Sequence, residues 1–153
     1  MVGIKRVLLP TDFSDVARHA APFARSLVER YDATLHVIHV SEPVFTGLPA
    51  SEIGVGVVAL PVDEASTRSQ LTAFVDACFA SLPTPPVTAL LSGSAPVAIT
   101  DYARENAIDL IVVGTHARGL MNRILLGSVS KSVVEHAHCA VLMVPLRAAM
   151  SEG

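Results

Sequence analysis

The sequence predicts one α/β domain: an open parallel sheet of five strands with helices on both faces. Short β-branched runs alternate with longer amphipathic segments, the pattern of right-handed strand–helix–strand units. Of the 153 residues 51% are hydrophobic, only 16% charged and 5% aromatic, so the core is built from Val, Leu, Ile and Ala, as in a sheet covered on both sides. Strand ends run into Thr/Asp or Gly/Ser turns, which open helices.

The elements follow in order. Ile4 to Leu9 reads as a buried strand stopped by Pro10 and the turn residues Thr11 and Asp12. Ser14 is an N-cap with Asp15 in the first turn, and Val16, Ala20, Phe23, Leu27 and Tyr31 mark the inward face of one helix, kinked at Pro22. Thr34 to Val40 is the second strand, residues 43–61 form a Pro/Gly-punctuated loop, and Asp63 to Leu82 is helical. Val87 to Leu91 is the third strand. Gly93-Ser94 then caps a helix that has Pro96 in its first turn and Ala98, Ile99 and Tyr102 facing inward. Asp109 to Val113 is the fourth strand, 128–138 a helix, and Ala140 to Val144 the last strand. The domain is expected to occupy residues 1–147, with a short tail at 148–153.

Several function classes are disfavoured by the same composition. A net charge of −3 without a basic block argues against a nucleic-acid partner. The start, Met1 to Arg6, has no apolar signal core, and no apolar stretch reaches the roughly 18 residues of a membrane span, so no membrane insertion is expected. Two cysteines, Cys78 and Cys139, fit a reducing compartment, and the chain reads as cytoplasmic.

The most informative stretch runs from Val113-Gly114-Thr115-His116-Ala117 to Gly127-Ser128-Val129-Ser130. A glycine closing a strand and a Gly-Ser pair opening a helix together make a phosphate cradle. Glycine lets backbone approach an anion, and the first helical N–H groups have no partner within the helix. Gly114-x-x-Ala117, nine residues, then Gly127-Ser128 resembles the ATP loop of the universal stress protein family, G-x-x-G-x9-G-[S/T], with Ala117 in place of the second glycine. The likeness extends from Val7-Leu8-Leu9-Pro10-Thr11-Asp12-Phe13-Ser14 to Ala140-Val141-Leu142-Met143-Val144.

That resemblance implies a strand order 3-2-1-4-5, which brings the loops after strands one and four to one crevice. It implies a homodimer paired through Ala140–Val144, with Val141 and Met143 near the axis, and an unidentified protein partner. The ligand implied is an adenine nucleotide, ATP or AMP, with any Mg2+ carried by the phosphates. Pro10, Thr11, Asp12 and Val40 would line the adenine pocket. Val113, Gly114, His116 and Ala117 would border ribose and phosphates, and Gly127, Ser128, Val129 and Ser130 would hold the phosphates. If the motif glycine serves a positive φ, alanine at 117 adds roughly 1–2 kcal/mol of strain, and binding survives weakened. Such a module is a stress-response regulator rather than an enzyme. Efficient phosphoryl transfer needs metal ligands, a cationic clamp and a positioned water, and Asp12 with nearby arginines is all that is on offer, so hydrolysis is expected to be slow. Ala117 also favours the alternative of a dimeric interaction protein that has lost its nucleotide.

Other patterns have plainer readings. Arg118 and Arg123 fall in the loop, where an arginine is more often solvated than bound to phosphate. Gly54-Val55-Gly56-Val57-Val58-Ala59 matches a dinucleotide fingerprint, but Pro49 and Pro61 flank it where a strand and a helix are required. Ser130-Lys131-Ser132 lacks the glycines of a P-loop. His36 and His39, three apart on a strand, point to opposite faces, and His136 and His138 lie about 200° apart around a helix, so neither pair readily shares an ion. Cys78 reads as a small core residue.

Overall fold

A computed structural model describes residues 2–46, 58–117 and 127–147. The elements are β1 (Arg6–Pro10), α1 (Asp15–Tyr31), β2 (Thr34–Ser41), β3 (Phe45–Thr46), β4 (Val58–Ala59), α2 (Glu64–Phe79), β5 (Val87–Ser92), α3 (Ala95–Glu105), β6 (Leu110–Ala117), α4 (Ser128–His136) and β7 (Ala140–Arg147). Five strands form one parallel sheet in the order β5-β2-β1-β6-β7, the order that the family resemblance implied. Among the described residues no helix is long and apolar enough to cross a membrane.

Alternation along the buried strands splits the core in two. Val7, Leu9, Val37 and Val112 meet α1 and α2 on one face, while Leu8, Ile38, Ile111 and Val113 meet α3 and α4 on the other. On the first face α1 contributes small residues. Ala17, Ala20, Ala21 and Ala24 are the buried stripe of α1, and Phe23 and Tyr31, expected inward, are 48% and 46% exposed. The stripe at 17, 20, 21, 24 and 28 lets the helix lie close to the sheet, and the bulky side chains fall outside it. Ser14 caps α1 as expected, accepting from the Ala17 N–H at 3.4 Å, and Pro22 sits within one uninterrupted helix.

Several boundaries move. Asp109, expected inside the fourth strand, precedes it: its Oδ2 accepts the Lys5 and Arg6 N–H groups at 2.8 and 2.9 Å, clamping the start of β6 to the start of β1. β6 and β7 run on together to Ala117↔Arg147, past the expected ends at Val113 and Val144. Pro145 is tolerated because β7 is an edge strand. α2 ends at Phe79 rather than Leu82, and α4 at His136 rather than 138. The 43–61 segment, expected to be loop, contributes β3 and β4, an antiparallel pair joined as Phe45↔Ala59 and Thr46↔Val58. The glycines of the fingerprint-like stretch lie outside the described residues.

The histidines have separate tasks. His36 is buried on the α3 side with Nδ1 2.9 Å from the Tyr102 hydroxyl, and burial, then Arg6, push its pKa below the ordinary 6.5. The His136 Nδ1 lies 2.8 Å from the Ser132 carbonyl on its own helix. Burial raises both Cys78 and Cys139, so both stay thiols.

The His36 shift has a definite sign. The folded state holds the ring neutral while the unfolded chain takes up a proton near 6.5, so stability is complete above that pH and declines as pH falls below it. His36→Gln should flatten the loss of stability between about pH 7 and pH 5 relative to wild type. Urea unfolding of both proteins at the two pH values checks this, and parallel losses would show that another group governs the acid limb.

Candidate functional site

The site begins where two central strands part. β1 pairs with β2 from Arg6↔Thr34 to Pro10↔Ile38, but with β6 only at Val7↔Leu110 and Leu8↔Ile111. Beyond Leu8 a gap opens at the carboxyl end of the sheet, at the reversal of strand order where doubly wound folds take ligands. The first turn of α1 enters this gap. A Cβ on Gly114 would stand 2.5 Å from the Val16 carbonyl oxygen and 2.6 Å from Val16 Cγ1, so residue 114 is glycine because α1 occupies the space of its side chain. This corrects the expectation that Gly114 ends its strand. β6 continues past it, and its side-chain position is already filled.

A cleft of about 190 Å3 lies above the parting. Eight of the residues singled out by sequence line it: Pro10, Thr11, Asp12, Val40, Val113, Gly114, Val129 and Ser130. Val16, Ala17, Ala95 and Ile99 complete the wall. Those four belong to the first two turns of α1 and α3. The signal that could have found them is that every helix following a strand here starts at the carboxyl edge. His116 is exposed on β6 and does not line the cleft, nor do Gly127 and Ser128, exposed at the start of α4. Ala117 is the last residue of β6, in register with Arg147. Arg118 and Arg123 lie outside the described residues.

Three helices present their N-termini to this edge, and they are not equivalent. The Ser14 side chain caps α1. Glu42 answers α3, its Oε1 accepting the Ala95 N–H at 2.9 Å. On α4 the N-cap is Gly127, with no side-chain hydrogen bond, and the first N–H to bond back is that of Lys131, to the Gly127 carbonyl at 3.0 Å. The N–H groups of Ser128, Val129 and Ser130 therefore have no partner within the helix. The Ser130 hydroxyl, expected to reach a phosphate, instead points to the Gly114 carbonyl at 3.5 Å and ties α4 to β6. Across the cleft, the Phe13 N–H binds Thr11 Oγ1 at 3.0 Å, and Asp12 Oδ1 accepts from the Ser14 N–H and hydroxyl. Among the described residues the second carboxylate oxygen of Asp12, an exposed residue, has no hydrogen-bond partner.

Fold and cleft together define a doubly wound α/β module with a small-ligand crevice at its strand-order reversal. The model of the universal stress protein family matches residues 3–145. The chain is 33% identical over 142 residues to Universal stress protein MJ0531 of Methanocaldococcus jannaschii, covering 92% of this chain and 81% of that one. It therefore belongs to the universal stress protein family. Two solved structures share the fold: a universal stress protein in complex with cAMP (TM-score 0.67, 24% identity, 94% and 98% covered) and one from Archaeoglobus fulgidus in complex with dAMP (0.64, 21%, 94% and 99%).

The two motif glycines answer to different constraints, which stability measurements separate. Gly114→Ala forces α1 off β6 and should cost about 1–3 kcal/mol in urea unfolding. Among the described residues a side chain on Gly127 meets nothing within 4 Å, and Gly127→Ser, which supplies a cap oxygen, should leave stability unchanged or raise it by about 0.3 kcal/mol. Equal losses in both variants would remove the distinction.

Proposed function

We propose that this chain is an adenine-nucleotide-binding regulatory module, homodimeric and at most a slow ATP hydrolase. The observation that carries this reading is the pairing of an apolar cleft with a helix N-terminus whose first three N–H groups have no partner within the helix. Pro10, Thr11, Asp12 and Val40 would hold the base. The cleft is smaller than the 300–1,000 Å3 typical of sites that enclose a whole ligand, so the phosphates would extend to the rim, where Gly127 to Ser130 offer N–H groups and the α4 dipole. The cAMP and dAMP bound by the two solved relatives support an adenine nucleotide.

At position 117 the backbone is strand, extended and paired, a conformation alanine adopts without strain. Ala117 is therefore compatible with binding. Magnesium would arrive with the phosphates, and among the described lining residues Asp12 is the carboxylate that could meet it. Among the described lining residues Asp12 alone is ionisable, which supports slow hydrolysis. A nucleotide would regulate by binding two states of the module unequally.

Mass spectrometry of the denatured purified protein should release ATP or AMP. Calorimetry should show ATP binding that weakens in Ser128→Ala by about 1.5–3 kcal/mol, the worth of a hydrogen bond to a charged acceptor. The cap is Gly127, so thermal stability should not move. Lowered stability with unchanged affinity would assign Ser128 to structure. Wild-type protein that neither carries nor binds nucleotide would favour the interaction-protein reading.

Dimerisation rests on β7, an edge strand with Leu142 and Met143 each 36% exposed. Unpaired strand edges invite pairing with a second chain. Light scattering at micromolar concentration should give about twice the 16.1 kDa chain mass. Val141→Lys or Met143→Lys should shift it toward monomer, and a monomeric wild type would overturn the dimer.

A further inference from the structure

We propose that His39 is a positioning residue that stops the β1–β2 ladder one step early and presents the Val40 backbone to the cleft. The argument starts from strand parity. Successive residues of a strand point their N–H and C=O alternately to the two neighbouring strands. The Ile38 carbonyl faces β1, since it accepts the Thr11 N–H at 2.8 Å. The Ser41 carbonyl faces β5, since it accepts the N–H of Gly93, just past that strand, at 3.1 Å. Parity therefore turns both backbone groups of Val40 toward β1, and Val40 is a cleft-lining residue.

A parallel ladder that continued from Thr11 N–H to Ile38 C=O would next join Val40 N–H to the Thr11 C=O. Among the described residues that bond is not made. The Thr11 carbonyl is instead 2.8 Å from His39 Nδ1, which must donate because a carbonyl can only accept. The same imidazole stacks on Phe13, centroids 4.5 Å apart and planes at 22°. Phe13 has φ +65°, a backbone conformation side-chain-bearing residues seldom adopt, and its ring is further held edge-on by Phe74 at 6.2 Å. His39 thus draws the Thr11 carbonyl, the acceptor that would close the ladder, toward its own ring and braces the residue at which the chain leaves the strand line.

The consequence is a donor and an acceptor side by side on the cleft wall, neither with a backbone partner among the described residues outside the strand ladders. Resting on the nucleotide reading above, this edge suits an aminated ring that sets an acceptor nitrogen beside an amino donor, as adenine does. Hypoxanthine presents an acceptor oxygen and a ring N–H in the opposite arrangement. Without His39 the ladder would zip by one bond and take the donor away.

The test combines amide exchange with base discrimination. In ligand-free wild type the Val40 amide should exchange about tenfold or more faster than the ladder amides of β2. In His39→Phe, which keeps the stack but cannot donate, it should become protected, ATP affinity should fall about tenfold, and the preference for ATP over ITP should vanish. His39→Gln, which can donate, should recover both. A Val40 amide already protected in wild type, or exchange and ATP/ITP preference unchanged in His39→Phe, would overturn the proposal. A wild type that binds neither nucleotide would sink the nucleotide reading, while the exchange data still decide whether His39 ends the ladder. The wild-type and His39→Gln measurements retain that power even if the Phe variant does not fold.

Discussion

Where the side chain of residue 114 would stand, the Val16 carbonyl of α1 stands instead, 2.5 Å from the position of that missing Cβ. This contact requires a glycine on β6 and a stripe of alanines on α1, because a bulkier residue at either would lift the helix from the sheet. With α1 held so low, its first turn lies in the gap between β1 and β6 and becomes a wall of the cleft. The Asp109 clamp at the opposite end keeps those strands together where they start, so the opening is confined to the carboxyl edge.

The electrostatics of that edge follow from small sequence differences at equivalent places. α1 starts after a serine that caps it, α3 starts beside a glutamate that reaches its first N–H, and α4 starts after a glycine that offers no side chain. Helix dipoles of similar sense therefore converge on the cleft, and among the described residues two meet a side-chain oxygen at their first turn while the third does not. A glycine N-cap costs α4 a few tenths of a kcal/mol relative to serine, a small concession that keeps the helix end open.

The fold was legible because its signals are strong and local: β-branched runs of strand length separated by helices with definable starts. Loops at strand ends were legible as cleft walls for the same reason, since they follow from chain direction alone. Helix rotation was harder. In α1 the apolar pattern at Phe23, Leu27 and Tyr31 competes with the alanine stripe, and only the closeness demanded at Gly114 decides between them. The reach of β6 and β7 to Ala117 and Arg147 was hidden because Gly114 and Pro145 read as strand breakers, while pairing of the two strands carries both through. The Thr11–His39 contact crosses 28 positions and joins a backbone carbonyl to a side chain, a pairing that no periodicity encodes.

The Asp109 clamp also governs the order in which the molecule can assemble. Its carboxylate accepts an amide 104 positions earlier in the chain, and the central pair β1–β6 closes over a similar span. β1, β2 and β5 can pair as soon as the first 92 residues exist, while one flank of β1 waits for its neighbour. During synthesis at about 5–20 residues per second that apolar flank stays unpaired for seconds after β5 emerges. The late half, from β6 to β7, thus works as a closing unit for an early half that cannot cover itself, and the long-range closure makes this a slower folder than a helical bundle of equal length.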